Sequence, residues 1–398
     1  MQLKKYVVFE AFTNAIGVLR MDFKLSKEQA LIQKTAREFA EKRIAPLCFQ
    51  IDREDDVPAD ILRELGELEL AGIPYAEEYG GAGADYISYA LVIEQLGRFS
   101  SGVSTIVTVN NLFLSAMNLF GTEEQKRKWM PDCCKFIRYG SFAFTEPGTG
   151  SDPKAITSIA KKEGNEYVIN GTKRFITSAG LPGPIIVIAV DDESGYPSAF
   201  IMEKFCEGYS ISQPWRKIGQ KGTHTYDVYL KDVRIPSENM LGAPGQGFNI
   251  LIRNISYGKL GVSSNALGRA QGALEEAFNY VKEKRHRGEP ISKFPTMKAR
   301  LATMTAKVEA ARWLVYRLAY LAETGCDPYQ FAKESALTKV FVGEASMDVV
   351  REALQAHGSY GVIEDYRIEM IYRDAILGEV VEGSKDLQLM IIADYMLT

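Results

Sequence analysis

Along the first third of the chain, apolar residues recur at the three-to-four-residue spacing of helices that bury one face. Ser26, with Gln29 three positions on, is the signature of a reciprocal N-terminal cap, and Ile32, Ala36, Phe39 and Ala40 follow on one face until Pro46. The same spacing predicts helices over 59–70, 86–99, 103–120 and 123–129, so the first 140 residues read as mostly helical. From Ser141 the period shortens to two. Tyr167–Ile169 and Arg174–Thr177 flank Asn170-Gly171, the dipeptide best suited to a tight hairpin turn, and 185–190, 199–202 and 226–230 add strands. Pro236, Gly242, Pro244, Gly245 and Gly247 then punctuate an exit loop. Helical periodicity returns over 263–285, 296–324 and 328–356, with a last helix after Gly383. The implied fold class is α+β multidomain: an N-terminal helical domain (21–140), a middle β-sheet or barrel-like domain (141–255) and a C-terminal four-helix bundle (256–398), preceded by an extension at 1–20.

Composition narrows the partners. At 398 residues and 46% hydrophobic content the chain can bury a core for two or three domains. The 47 basic and 51 acidic residues are spread evenly, for a formal charge of -4, which leaves no basic stripe for nucleic acid or anionic lipid. The longest strongly apolar run, Pro184–Val190, is far shorter than a bilayer crossing, so no membrane span is expected. The cysteines at 48, 133, 134, 206 and 326 contain no C-x-x-C pair, which points to a reducing, intracellular compartment: the cytoplasm, or the mitochondrial matrix in a eukaryote. Residues 1–20 lack the apolar core of a secretory signal, and Met21 opens a segment that reads like a natural start.

Several chemistries are excluded by missing motifs. No G-x-G-x-x-G opens a βαβ unit, no phosphate-loop motif occurs, and three histidines form no zinc-protease pair, so no metal site is expected. His357-Gly358-Ser359-Tyr360-Gly361 imitates a nucleophile elbow, but His357 stands where its first glycine belongs. The distinctive segment is FAFTEPGTGSD, Phe142 to Asp152, where an apolar strand runs into Thr145 and a Gly-rich turn. Free strand groups there can pair with the edge of a flat heterocycle, and Gly148 and Gly150 let backbone N–H groups approach a phosphate or carbonyl. On spacing alone, a plain β-turn with a helix cap is an equal alternative.

That string resembles the flavin-binding signature of the acyl-CoA dehydrogenase family. The match continues in order through NGTKRFITSAG (170–180), KIGQKGTHT (217–225), DVRIPSENMLGAPGQG (232–247), QAHGSYG (355–361) and YRDAILGEVVEGS (372–384), covering essentially all of 21–398. The resemblance implies an FAD enzyme that dehydrogenates an acyl-CoA thioester at its α and β carbons and passes electrons to an electron-transferring flavoprotein. It places Phe142, Phe144, Thr145 and Gly150 at the flavin, Ser151 where flavin and thioester meet, and Phe175, Ile176 and Thr177 over one flavin face. Lys284 with Arg285, and Gln355, Gly358 and Ser359, are implied to complete a neighbouring subunit's FAD site in a homotetramer, with Ser384 and Asp386 at further FAD positions. Glu382 matches the catalytic base, Val380 and Val381 supply dry surroundings that raise its basicity, and Gly383 lets the chain approach substrate. Glu379 is read as an ordinary carboxylate.

Departures from the family pattern bear on substrate. Lys259 stands in place of an Arg near the CoA chain, and Val381 in place of a Tyr beside the base. With Gly378 also small, this points to a short, branched or cyclic acyl group. Lys284 takes the place of an Arg, Arg287 of a Phe and Pro295 of a Gln. Some relatives carry the base at the position that here is Gly258. No Arg or Lys between Phe99 and Gln125 offers a clamp for a distal carboxylate, which argues against glutaryl-CoA. An oxygen-using oxidase of the same fold, or a catalytically silent flavin- or CoA-binding protein, are the alternative readings.

Overall fold

The structure is a computed structural model and describes residues 24–152 and 155–397; the expected extension at 1–20 lies outside the described residues. The first helix, α1 (Lys27–Phe39), opens on the expected reciprocal cap: Gln29 N donates to Ser26 Oγ at 3.0 Å and Ser26 N to Gln29 Oε1 at 2.9 Å. Helices α2 (Cys48–Glu54), α3 (Ala59–Glu67), α4 (Tyr86–Gly97), α5 (Ser101–Phe120) and α6 (Glu123–Cys134) follow. A second reciprocal cap, Thr122 with Gln125, starts α6. By length and hydropathy α5 alone among the described helices could cross a membrane, but 72% of its apolar window is buried inside the protein against α4, α6 and α7. It is a core helix that the count of uninterrupted apolar residues missed.

The middle region is an eight-stranded sheet. Its strands are β1 (Ser141–Ala143), β2 (Ile159–Glu163), β3 (Glu166–Thr177), β4 (Pro184–Asp191), β5 (Pro197–Glu203), β6 (Tyr209–Ile211), β7 (Thr225–Pro236) and β8 (Met240–Leu241). The order is β6-β7-β3-β2-β4-β5-β8, with β1 parallel to β4. Asn170-Gly171 is not a hairpin turn: β3 runs straight through it, with a bulge against β7 between Ile169 and Gly171. Ser158 lies so close that a Cβ on Gly171 would meet its Oγ at 2.1 Å, so the glycine serves packing. The turn that joins β2 to β3 is instead Gly164-Asn165, with Gly164 at φ 66°.

Four long helices return the chain: α7 (Gly247–Glu283), α8 (Pro295–Thr324), α9 (Pro328–His357) and α10 (Arg367–Val380), before a terminal α11 (Lys385–Leu397). A two-stranded ribbon, β9 (Arg285–His286) with β10 (Glu289–Pro290), links α7 to α8. Helix α7 begins at Gly247, the last residue of the expected exit loop and well before the helix expected from 263; Gly247 packs onto the sheet, where a Cβ would lie 2.7 Å from the Pro197 carbonyl. Helix α10 was not expected at all, since its buried face carries Arg367 and Asp374 and so breaks the apolar period. One helical core joins residues of α1, α3, α4 and α5 to α7, α8, α9 and α10, while a second ties α5 and α6 to β4 and β5. The segment between α10 and α11 is therefore presented against α7 and α9.

Candidate active site

Glu382 sits in that segment. Helix α10 ends as Val381 N bonds Leu377 O at 3.0 Å, and the chain then turns through left-handed backbone at Glu382 (φ 58°) and Gly383 (φ 91°). A left-handed non-glycine residue costs of order 1–3 kcal/mol and persists only where its surroundings fix it. Lys339 of α9, a buried residue, does so by donating from Nζ to Gly383 O and, at 3.4 Å, to Glu379 O. Gln388 Nε2 donates to Glu382 O at 3.3 Å, and Ser384 Oγ caps α11 by accepting from Leu387 N at 3.4 Å. The side chain lies on α7 at Gly258, where an added Cβ would meet Glu382 Oε2 at 3.0 Å and Leu112 Cδ2 at 2.7 Å. Positions 258 and 382 thus address the same spot, and a side chain at 258 would crowd the Glu382 carboxylate.

The surroundings bring this carboxyl towards neutrality. Burial pushes it up to about 7, against the opposing pull of the Lys259 and Lys339 charges. Burial likewise brings Lys259 and Lys339 down to about 8 each, against the Glu382 charge. None of the hydrogen bonds or contact ion pairs of the described residues engages the Glu382 carboxylate oxygens, so the lysines act through space. Tyr89 of α4 is also buried, its hydroxyl has no partner, and burial followed by the Glu382 charge raises its pKa. The expected screen of Val380 and Val381 is only half present: Val380 is 65% exposed, and the desolvation comes from α7, Leu112 and Tyr89 instead. The space beside Gly378 is also taken, because a Cβ there would lie 2.6 Å from Arg269 Nη2. Lys339, Tyr89 and Arg269 escaped the sequence reading. A lysine among the buried Ser335, Val342 and Ser346 on one face of α9 was the signal available for the first.

The flavin-signature residues form a second group. Arg174 N donates to Thr145 O at 2.7 Å and Ser141 Oγ to Thr177 O at 3.1 Å, which sets 142–145 beside 175–177. Beneath them, Lys173 and Glu146, both buried, pair at 2.6 Å, and the carboxylate also accepts from Thr157 N, Thr157 Oγ1 and Ser158 N. Burial alone would raise the Glu146 pKa, but Lys173 and these donors outweigh it and hold it at about 2. Phe144 and Ile176 are buried and Phe142 half-buried, whereas Ser151 is exposed. Phe175, at φ 60° and 57% exposed, lies 5.7 Å from the Trp215 ring. Open space surrounds Gly148 and Gly150. An exposed aromatic pair beside an open glycine turn fits a flat ring with an anionic tail.

A third group lies at the other end of α7. Lys284 Nζ sits 4.6 Å above the Tyr360 ring, next to the exposed Gln355, Gly358 and Ser359. Arg285 is exposed and reaches Gly288 O at 3.4 Å. Arg287 (φ 51°) makes the turn between β9 and β10, and Pro295 is the first residue of α8, so both departures have local roles. Among the described residues, no hydrogen bond or ring contact joins this group to the flavin-signature group within one chain. Asp386 is exposed in the first turn of α11.

Profiles described as the N-terminal, middle and C-terminal domains of acyl-CoA dehydrogenase match residues 26–136, 141–233 and 245–397. The chain belongs to the acyl-CoA dehydrogenase family. A short-chain specific acyl-CoA dehydrogenase of Clostridium acetobutylicum is 37% identical over 94% of this chain and 99% of its own. An acryloyl-CoA reductase (NADH) of Anaerotignum propionicum is 36% identical over 94% and 95%. A solved acyl-CoA dehydrogenase of Bacillus anthracis, complexed with FAD, superposes with a TM-score of 0.87 at 32% identity, covering 94% of this chain and 67% of that one. The family, its three-domain fold and its oxidoreductase chemistry are those the motifs implied.

Proposed function

We propose that the chain is an FAD-dependent dehydrogenase of short acyl-CoA thioesters that passes its electrons to an electron-transferring flavoprotein. The observation that carries this is the Glu382 carboxyl, held against Gly258 with a pKa near neutrality. A base with that pKa is half ionised at physiological pH and strong enough to take a proton activated by a thioester. Glu382 takes the α-proton, and its own backbone N–H donates to the thioester carbonyl as enolate charge develops. The Lys339 bonds to the carbonyls of 379 and 383 hold both groups in place. FAD, when bound, supplies the acceptor for the β-hydride. Phe142, Phe144, Thr145, Gly150, Ser151 and the 175–177 segment would hold its ring end.

Lys284, Arg285, Gln355, Gly358, Ser359, Ser384 and Asp386 are exposed or half-buried in a single chain and are proposed to serve a neighbouring subunit's cofactor in a tetramer. Val381 leaves room beside the base for a branch, whereas the room over Gly378 is filled by Arg269, which speaks for a short chain over a cyclic one. Anaerobic mixing of the flavin-loaded protein with butyryl-CoA is expected to bleach the flavin and yield the 2-enoyl thioester; an unbleached flavin with every saturated thioester contradicts the reading. The similarity to an enoyl-CoA reductase favours one second reading, the same steps run backwards with Glu382 as the acid. Turnover of acryloyl-CoA with a reduced acceptor, exceeding that of propionyl-CoA oxidation, would select it.

A further inference from the structure

Arg269 of α7 heads the largest fully buried side chains of the protein. Its Nη1 donates to Asn265 Oδ1 at 3.2 Å and Ser101 Oγ at 3.4 Å, while Nε and Nη2 have no hydrogen-bond partner among the described residues. Asp374 of α10 faces it, but no contact ion pair joins them among the described residues, and Asp374 Oδ1 is committed to Gln220 N. Burial lowers the guanidinium only to about 10, so it stays charged at neutral pH. A buried cation with idle donors is costly unless something else supplies the acceptors.

Its position says what that something is. Gly258, Gly261, Asn265 and Arg269 fall on one face of α7 and meet Leu112, Thr108, Thr105 and Ser101 of α5 in turn. Glu382 stands at the first of these rungs and Arg269 at the last. Side chains on a helix lean towards its N-terminus, here towards Glu382. Nη2 accordingly comes to rest against Gly378, four residues before the base. Gly378 lies in the last turn of α10, so the guanidinium reaches the start of the loop that carries Glu382.

We propose that Arg269 ends the acyl site and that the site takes a short acyl group carrying a carboxylate at its far end. The inference rests on the dehydrogenase reading and adds the substrate class. The sequence argument against such a substrate searched only between Phe99 and Gln125; the cation arrives from α7 and touches Ser101 from the other side.

The test compares glutaryl-CoA with hexanoyl-CoA, chains of similar length, as anaerobic reductants of the flavin-loaded enzyme. Wild type is expected to favour glutaryl-CoA by about tenfold or more in kcat/KM, the scale of a hydrogen bond to a charged group. Arg269→Met is expected to reverse that order and Arg269→Lys to keep it. Tighter binding of glutaconyl-CoA than of 2-hexenoyl-CoA to wild type, by titration, gives a readout independent of turnover and of how the variants fold. Preference for hexanoyl-CoA in wild type overturns the proposal, as does a glutaryl preference that survives Arg269→Met. A flavin that no thioester bleaches overturns the dehydrogenase reading and this inference with it.

Discussion

Two glutamates of this chain face buried lysines and end in opposite states. Glu146 touches Lys173 at 2.6 Å, accepts three further hydrogen bonds, and is held at about 2. Glu382 has two lysines near it but touches neither, accepts no hydrogen bond at its carboxylate, and stands at about 7. Desolvation pushes both carboxyls upwards, so burial alone does not separate them. The difference is contact: direct donors repay the cost of desolvating a charge, while through-space attraction repays only part of it. Glu146 is therefore a structural anion that pins the flavin-signature loop to β3, and Glu382 is left with the raised pKa that the proposed base requires.

The sharpest way to break this contrast is to remove the reactive member. Glu382→Gln keeps the shape and the backbone N–H, so thioester binding and its shift of the flavin spectrum should survive. Flavin bleaching should slow by about 10²- to 10⁴-fold, the range of general-base contributions. Bleaching at nearly the original rate would move the base elsewhere, with Glu379 tested next.

Next in size is the structural member. Lys173→Met strands Glu146 as an unpaired buried anion, which costs about 3–5 kcal/mol. Denaturant unfolding should show that loss together with weaker flavin retention, whereas the same experiment on Lys259→Met should show a smaller stability change. Equal losses would mean that the two lysines are alike and that contact is not the distinction.

Lys339→Met probes the through-space case. Losing a cation raises the Glu382 pKa further, so less of the base is ionised at neutral pH and bleaching should slow about fivefold, with the pH profile displaced upwards by about one unit. A lower plateau with an unmoved midpoint would make Lys339 a purely mechanical brace. The smallest effect belongs to Gly258→Ala, whose Cβ would press on Leu112 Cδ2 at 2.7 Å and Glu382 Oε2 at 3.0 Å. A few-fold loss of turnover is expected, at an overpacking cost of about 1 kcal/mol, and an unchanged rate would show that the carboxylate does not rest there.

These differences also mark what a sequence can disclose. The cap at Ser26, the run into Thr145 and the Glu382 loop are local: their residues are neighbours in the chain, so the pattern carries them. The Asn170-Gly171 reading failed because a long-range fact, the closeness of Ser158 to Gly171, decided the backbone there. Helix α10 was hidden by Arg367 and Asp374, buried charges whose partners, Glu276 and Gln220, lie far away in sequence. The candidate base was legible, but its setting was not, since Lys339, Tyr89 and Arg269 come from three other helices and converge only in the folded chain.

The account stands most directly on the pH dependence of flavin reduction. A carboxyl whose pKa is raised is active only when deprotonated, so kcat/KM should fall as pH drops through about 7 and level off above it. A midpoint near 7 that is absent from the residual activity of Glu382→Gln is the predicted result. A profile that stays flat down to the ordinary glutamate range, about 4.3, would contradict it.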